Sequence, residues 1–317
     1  MKLRKSQAAA GYKEPSLMQT LAKDFRLNWK LYILALPVIL YYLLFCYKPM
    51  YGALIAFMDY TPGNSLFANE WVGFKHFISF FNSIFFFRVL KNTLTISLTT
   101  LVFSFPLPIV LALLLNEVKS KRFSKTVQTI SYLPHFISTV VICGMIKDFT
   151  SANGLVTDFL VLLGGKRQAL LNDPNMFVPV YVISGIWQQL GWNSIIYIAA
   201  IAGVDQSLYE AASVDGAGRL RQVWHITLPS ILPTIIILLI MRVGNLLSVG
   251  FEKIILLYNP AIYDTSDVIS TYVYRKGLLE YNYSFSTAVG LFNSVINFIL
   301  LVATNTISKK ATESSLW

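Results

Sequence analysis

Two stretches of this chain carry polar groups inside apolar surroundings, and both suit recognition rather than bond-making. "GIWQQLGWNS" places Trp187, Gln188, Gln189, Trp192 and Asn193 on one predicted helix. Flat aromatic faces and bidentate amides match the ring faces and vicinal hydroxyls of a sugar. Further on, Arg242 and Asn245 interrupt a run of Ile, Leu, Val and Met. Inserting a guanidinium into lipid costs roughly 2.5–3.5 kcal/mol, so Arg242 must face protein, water or solute. It would suit hydroxyl pairs and carboxylates alike. Packing or an interface belt is the competing reading of Trp187 and Trp192. For Arg242 the competing reading is an ion pair or a carbonyl bridge to a neighbouring helix. Asn293 and Asn297, four apart, read as glue between helices.

A third stretch, "SLYEAASVDGAGRLRQVWHITLP" at 207–229, is too polar for lipid and too apolar for a plain loop. Ser207 and Glu210 have the spacing of a capping box. Leu208, Ala211 and Ala212 give the predicted helix a small apolar face, and Gly216 is a left-handed stop. Gly218 permits a second turn, "RLRQVWHI" predicts a second short helix, and Pro229 and Pro233 open the next apolar run. The expected result is a helix–turn–helix on the membrane surface, with Glu210 and Asp215 offering charge. It reads either as a docking knob for a partner or as an interfacial linker in which Glu210 only caps its own helix.

Catalytic constellations do not emerge. "LLGGKR" at 162–167 lacks the first Gly and the hydroxyl of a phosphate-binding loop, and no G-x-S-x-G elbow occurs. His76, His135 and His225 form no metal-ligand pattern, so neither metal nor cofactor is expected. Cys46 and Cys143 sit in apolar runs as inert thiols. The chain is not expected to be an enzyme.

The elements that must position these residues follow from composition. Hydrophobic residues make up 55% and charged residues 13%, with mean hydropathy +0.57. That charge deficit marks an integral membrane protein. Six runs are long enough to span: 31–57, 92–115, 127–147, 177–202, 231–257 and 285–307. Kinks are expected at Pro37, Pro106, Pro108 and Pro134. The first run reads as an uncleaved anchor rather than a signal peptide, because "KPMYGALIAFMDY" follows it without a cleavage site. The net charge of +10 reflects sidedness rather than nucleic-acid binding, for the basic residues are not interleaved with aromatics on a soluble face. More than half of the 26 Lys and Arg flank the predicted inner ends, which places both termini in the cytoplasm. The expected organisation is a basic segment 1–30, a first helix 31–57, an outer loop 58–91, a core 92–307 containing the inner loop 203–230, and a cytoplasmic tail 308–317. Asp59, Glu70, Asp264, Asp267, Arg275 and Lys276 fall in outer loops, either solvated or available for docking.

Glu210-Ala211-Ala212, three residues, Gly216, nine residues, then Ile226-x-Leu228-Pro229 resembles the signature loop of permease subunits in ATP-driven, binding-protein-dependent importers. "WVGFKHF", Asn92-Thr93, Leu133-Pro134 and "YEAASVDGAG" are similar to the carbohydrate branch. The long basic N-terminus looks most like LplB-like and alginate importer permeases. Thr157, where the family often has Asn, departs from the pattern. The resemblance covers residues 70 to 305. It implies an all-α, six-span type I (MetI-like) permease fold in a bacterial cell membrane. Glu210, Ala211, Ala212, Asp215, Gly216, Ile226, Leu228 and Pro229 would then couple to a separate ATPase dimer. A second homologous permease, an external solute-binding protein and a saccharide substrate complete the implied set. Another solute, a channel or a polytopic enzyme are the alternatives.

Overall fold

The computed structural model describes residues 17–312 and 314–317. Lys2, Arg4, Lys5 and Lys13, which support the orientation argument, lie outside the described residues. The chain divides into two compact units, Met1–Leu54 and Ile55–Trp317.

The first unit holds α1 (Leu17–Tyr41), which continues through a π-helical turn (Tyr42–Tyr47) into a 3-10 stretch (Lys48–Phe57). From Lys23 to Phe57 this run is long and apolar enough to cross a membrane. Its non-helical residue is Asn28, not the expected Pro37. The Asn28 amide donates to Asp24 Oδ1 at 2.7 Å, the local side-chain competition that disturbs helices at such residues.

In the second unit a short antiparallel ladder pairs β1 (Met58–Asp59) with β2 (Glu70–Trp71) in the register Met58↔Trp71. After α2 (Lys75–Phe81), α3 (Phe86–Ser104) and α4 (Pro106–Glu117) form one candidate span, broken at Phe105 by Pro106. It begins at Phe86, earlier than the expected 92. The predicted third span is not a single rod. α5 (Lys121–Tyr132) and a 3-10 turn (Leu133–Phe136) meet α6 (Thr139–Phe149) at 97°. Pro134 tightens the turn and Ser138 starts α6 afresh, its hydroxyl accepting from Val141 N. α7 (Leu155–Leu162) follows, and α8 (Phe177–Ala202) runs 26 residues without a break.

The inner loop contains α9 (Gln206–Val214) and α10 (Arg219–Gln222). Contrary to the expected separate short helix, α10 flows through a π turn (Val223–Thr227) into α11 (Leu228–Val243), giving one candidate span, Arg219–Val243. The predicted 231–257 helix therefore starts earlier and breaks over 244–250, resuming as α12 (Phe251–Leu257). Asn297 explains how the break is tolerated. Its Oδ1 accepts from Leu247 N at 3.0 Å and its amide donates to Ser248 Oγ at 2.9 Å. A neighbouring helix thus satisfies backbone that the break frees. α13 (Tyr263–Ser266), α14 (Ile269–Tyr274), a π turn (Arg275–Leu279) and α15 (Tyr283–Thr312) complete the chain.

α8 is the central post. Phe177, Tyr181 and Val182 pack with Ile96, Ile142 and Ile254 from α3, α6 and α12. Tyr197 and Ile201 pack with Ala112 and Ile231 from α4 and α11. A Cβ at Gly191 would lie 2.2 Å from Ser131 O, so glycine is what lets α5 touch α8. The outward faces stay apolar, with Leu98, Val102, Phe103, Val110 and Leu114 exposed, as lipid contact requires.

Candidate functional sites: a membrane cavity and a helix–turn knob

Arg242 sits in the last turn of α11, where a cation also meets the carbonyl end of the helix. It lines three cavities of about 260, 300 and 260 Å³. Asn245 shares two of them, Asn193 two, and Gln188 and Gln189 one. Four of the six expected path residues therefore converge. Trp187 and Trp192 line none of these cavities. Trp192 instead stacks on His135, ring centroids 4.1 Å apart and 4° from parallel, and His135 Nδ1 lies 3.0 Å from Gln189 Oε1. The stack braces the 3-10 turn between α5 and α6 against α8.

Neither the ion pair nor the carbonyl bridge expected as the alternative for Arg242 forms among the described residues. Glu252, ten positions on, would be nearly three turns away on a continuous helix. The break at 244–250 folds the chain so that Glu252 and Arg242 line the same cavity. Lys253 joins them and went unnoticed in the sequence. It is buried, donates from Nζ to Tyr181 O at 3.1 Å, and lies 4.9 Å from the Tyr181 ring centroid. The charged wall thus holds two cations and one carboxylate. A charged pair, "EK", inside the apolar run 231–257 was the available signal. Asn293, by contrast, lines a separate cavity of about 500 Å³, while Asn297 is the glue described above.

The surface around α9 is built differently. Asp205, not Ser207, caps α9, its carboxylate accepting from Ser207 N at 2.9 Å. The helix starts one residue before Ser207, so the expected capping box does not form and Glu210 is free of that duty. The Ser207 amide holds the Asp205 carboxyl below the usual carboxylate range. Gly216 stops the helix at φ +74°, the left-handed conformation expected of it. Gln222 then ties the turn closed, donating to Ser213 Oγ at 2.9 Å and Ala217 O at 3.1 Å. Tyr209 OH meets Thr227 Oγ1 at 2.9 Å, and Ile226 and Leu228 pack into the cluster around Tyr197 and Ile231. Glu210, Ala211, Asp215 and Val214 remain exposed on the far side, while Ala212 is half-buried and Pro229 opens α11. A rigid knob results, anchored by its second half and open on its first.

The charges of the loops at 58–91 and 258–282 are mostly structural. Asp267 is fully buried and takes a two-pronged grip from Arg275 at 2.8 and 2.6 Å. That carboxylate pushes the Arg275 guanidinium further above its already high range. Arg88 pairs with Asp264 at 3.0 Å, and Asn92 donates to Asp264 O and Asp267 O. Asp59 pairs with Lys75 at 2.6 Å, which lowers its pKa, and lies 3.0 Å from His76 Nε2. Lys276 pairs with Glu280, and Glu70 stays exposed in β2. Asp267 is thus neither a solvated nor an available docking group.

The family model of the binding-protein-dependent transport system inner membrane component matches residues 104–313. Protein LplB of Bacillus subtilis (strain 168) is 45% identical over 303 residues, covering 95% of this chain and 94% of that one. The polygalacturonan/rhamnogalacturonan transport system permease protein YteP of the same organism is 46% identical over 288 residues, 90% of each chain. Among solved structures, a chain of the bacterial alginate ABC transporter in complex with alginate pentasaccharide-bound periplasmic protein superposes with a TM-score of 0.86. It is 46% identical, covering 93% of this chain and 99% of that chain.

Proposed function

The chain belongs to the inner membrane components of binding-protein-dependent transport systems, and from that premise we propose that it carries an oligo- or polysaccharide through the membrane cavity around Arg242. It is a multi-pass membrane permease and not an enzyme; ATP hydrolysis takes place in a partner. The working importer pairs this chain with a second, similar permease, two ATPase subunits and an external binding protein. The observation that carries the solute assignment is Arg242, unpaired among the described residues, lining three cavities with Gln188, Asn193 and Asn245. A guanidinium and amides suit vicinal hydroxyls, and two cations against one carboxylate favour a uronate-bearing chain.

The exposed half of α9, with Glu210, Ala211 and Asp215, is the surface offered to the ATPase, and both termini then face the cytoplasm. ATPase closure would move this knob and, through Ile226, Leu228 and Pro229 at the head of α11, the helix that bears Arg242. Alternating exposure of the cavity to the two sides follows from that linkage.

The test is ATP-dependent uptake by the complete importer in proteoliposomes. A uronate pentasaccharide should enter in preference to its carboxyl-reduced counterpart, and Arg242→Gln should narrow the gap. Uptake of neither saccharide by a fully assembled importer would overturn the solute assignment. Thiol labelling at position 217 from outside the cell would overturn the orientation.

A further inference from the structure

Ser97, Thr100 and Ser104 lie on one face of α3, three and then four residues apart. They span roughly 10 Å of helix axis at 1.5 Å per residue. All three hydroxyl oxygens are buried without a hydrogen-bond partner in the described protein. A hydroxyl within a helix has an acceptor ready in the carbonyl four residues back. Thr93 on the same helix uses it, with Oγ1 2.6 Å from Val89 O. Ser184 on α8 and Ser230 on α11 do the same at 2.5 and 2.7 Å. The three hydroxyls of α3 forgo that bond, although leaving a buried hydroxyl unpaired is costly.

What they line accounts for this. Ser97 and Thr100 border the 300 Å³ cavity, and Thr100 and Ser104 border the 260 Å³ cavity that also holds Gln188 and Glu252. Ser104 reaches the third cavity as well, and Arg242 is common to all three. Ser97 is only 9% exposed, so bulk solvent does not supply the missing partner. The stripe therefore runs along the same connected space that Arg242 faces from α11.

We infer that Ser97, Thr100 and Ser104 form a hydroxyl track on the α3 wall of the path, which hydrogen-bonds the hydroxyl groups of a saccharide as it passes. This rests on the reading that the Arg242 cavities are the solute path. A serine or threonine hydroxyl both donates and accepts and carries no charge. The track is accordingly blind to the carboxylate of a uronate and reads the polyol, while Arg242 reads the charge. Unpaired hydroxyls exchange partners readily between water and solute, which favours passage over capture.

The experiment uses the complete importer in proteoliposomes, with a uronate pentasaccharide and its carboxyl-reduced counterpart as probes. Ser97→Ala, Thr100→Val and Ser104→Ala should each lower uptake by about three- to tenfold, the worth of one ordinary hydrogen bond. The triple variant should lower it by about thirtyfold or more. The loss should be equal for the two probes, with basal ATPase activity retained. Arg242→Gln should instead lower the uronate probe selectively. Normal uptake by an assembled triple variant overturns the track. If Arg242→Gln is also without effect on either probe, the path assignment fails with it; if Arg242→Gln is selective, only the track fails. Should the triple variant not assemble, Ser97→Cys, Thr100→Cys and Ser104→Cys are labelled singly with a small polar thiol reagent. Protection by the pentasaccharide supports the track, and labelling indifferent to the saccharide overturns it.

Discussion

Asp267 and Arg242 are both charged groups set among apolar helices, yet their surroundings are opposite. Asp267 is fully buried and every neighbour answers it: Arg275 from the following turn, Thr271 from α14, and Arg88 from α3 within 3.8 Å. Arg242 lines three cavities and forms no ion pair among the described residues, although Glu252 lines one of the same cavities. A buried charge in a folded chain is normally paired, because the unpaired state is destabilising. The difference separates two uses of charge. The outer network holds α3 to α14, whereas Arg242 is kept unpaired where something mobile can meet it.

The strongest challenge to that distinction is Asp267→Asn. Removing one partner of a buried pair typically costs about 3–5 kcal/mol. Thermal unfolding of the purified permease in detergent should show a large fall, with little folded protein recovered from the membrane. A variant as stable as the parent would mean that the outer charges are not structural.

Glu210→Lys should have a large effect of another kind. Since Asp205 holds the cap, the substitution costs α9 no capping bond and stability should be unchanged. ATPase co-purification and uptake should nonetheless fall to background. Normal uptake would show the exposed face of α9 to be a passive surface.

Arg242→Gln should be milder, lowering uronate uptake about tenfold, a difference worth about 1.4 kcal/mol. Its unfolding temperature should stay level or rise, since an unpaired cation is removed. A marked drop in stability instead would place Arg242 with Asp267 as a structural group.

The smallest effect belongs to Asp205→Ala, which removes the α9 cap. A slight fall in thermal stability and faster amide exchange over 206–214 are expected, with the ATPase still bound. The Asp205 carboxyl is held low by the Ser207 amide, so its contribution is complete above the ordinary Asp range, near pH 3.9. That contribution disappears only as pH falls through the lowered value. Uptake should therefore show no Asp205-dependent change between about pH 5 and 8; a Glu210-like loss of coupling in Asp205→Ala would sink this assignment.

The helix and the glycine stop of the knob at 203–230 were legible, because their pattern lies within one contiguous stretch. The cap differs there: Asp205 takes it in place of Ser207, so the helix begins two residues earlier than a Ser207 cap implies. The joining of α10 to α11 is not legible because Pro229 and Pro233 read as helix breakers, whereas a π turn at Val223–Thr227 carries the helix past Pro229, and Pro233 lies inside α11. The cavity was only partly legible. Arg242, Asn245, Gln188 and Asn193 announce themselves as polar groups in apolar runs. Ser97, Thr100 and Ser104 do not, for hydroxyls in membrane helices usually bond their own backbone.

From its sequence alone the chain is a membrane protein with a surface knob of defined spacing, because hydropathy and helix signals are summed over neighbouring residues. Which polar groups meet was decided only in the fold. The break at 244–250 brings Glu252 and Lys253 beside Arg242, and the 97° bend sets His135 against Trp192. The first bend survives because Asn297 of α15 supplies a partner for the freed backbone, and the second because Ser138 caps the restarted helix locally. The Asn297 bond joins residues fifty positions apart, and no periodicity along one stretch of chain encodes it.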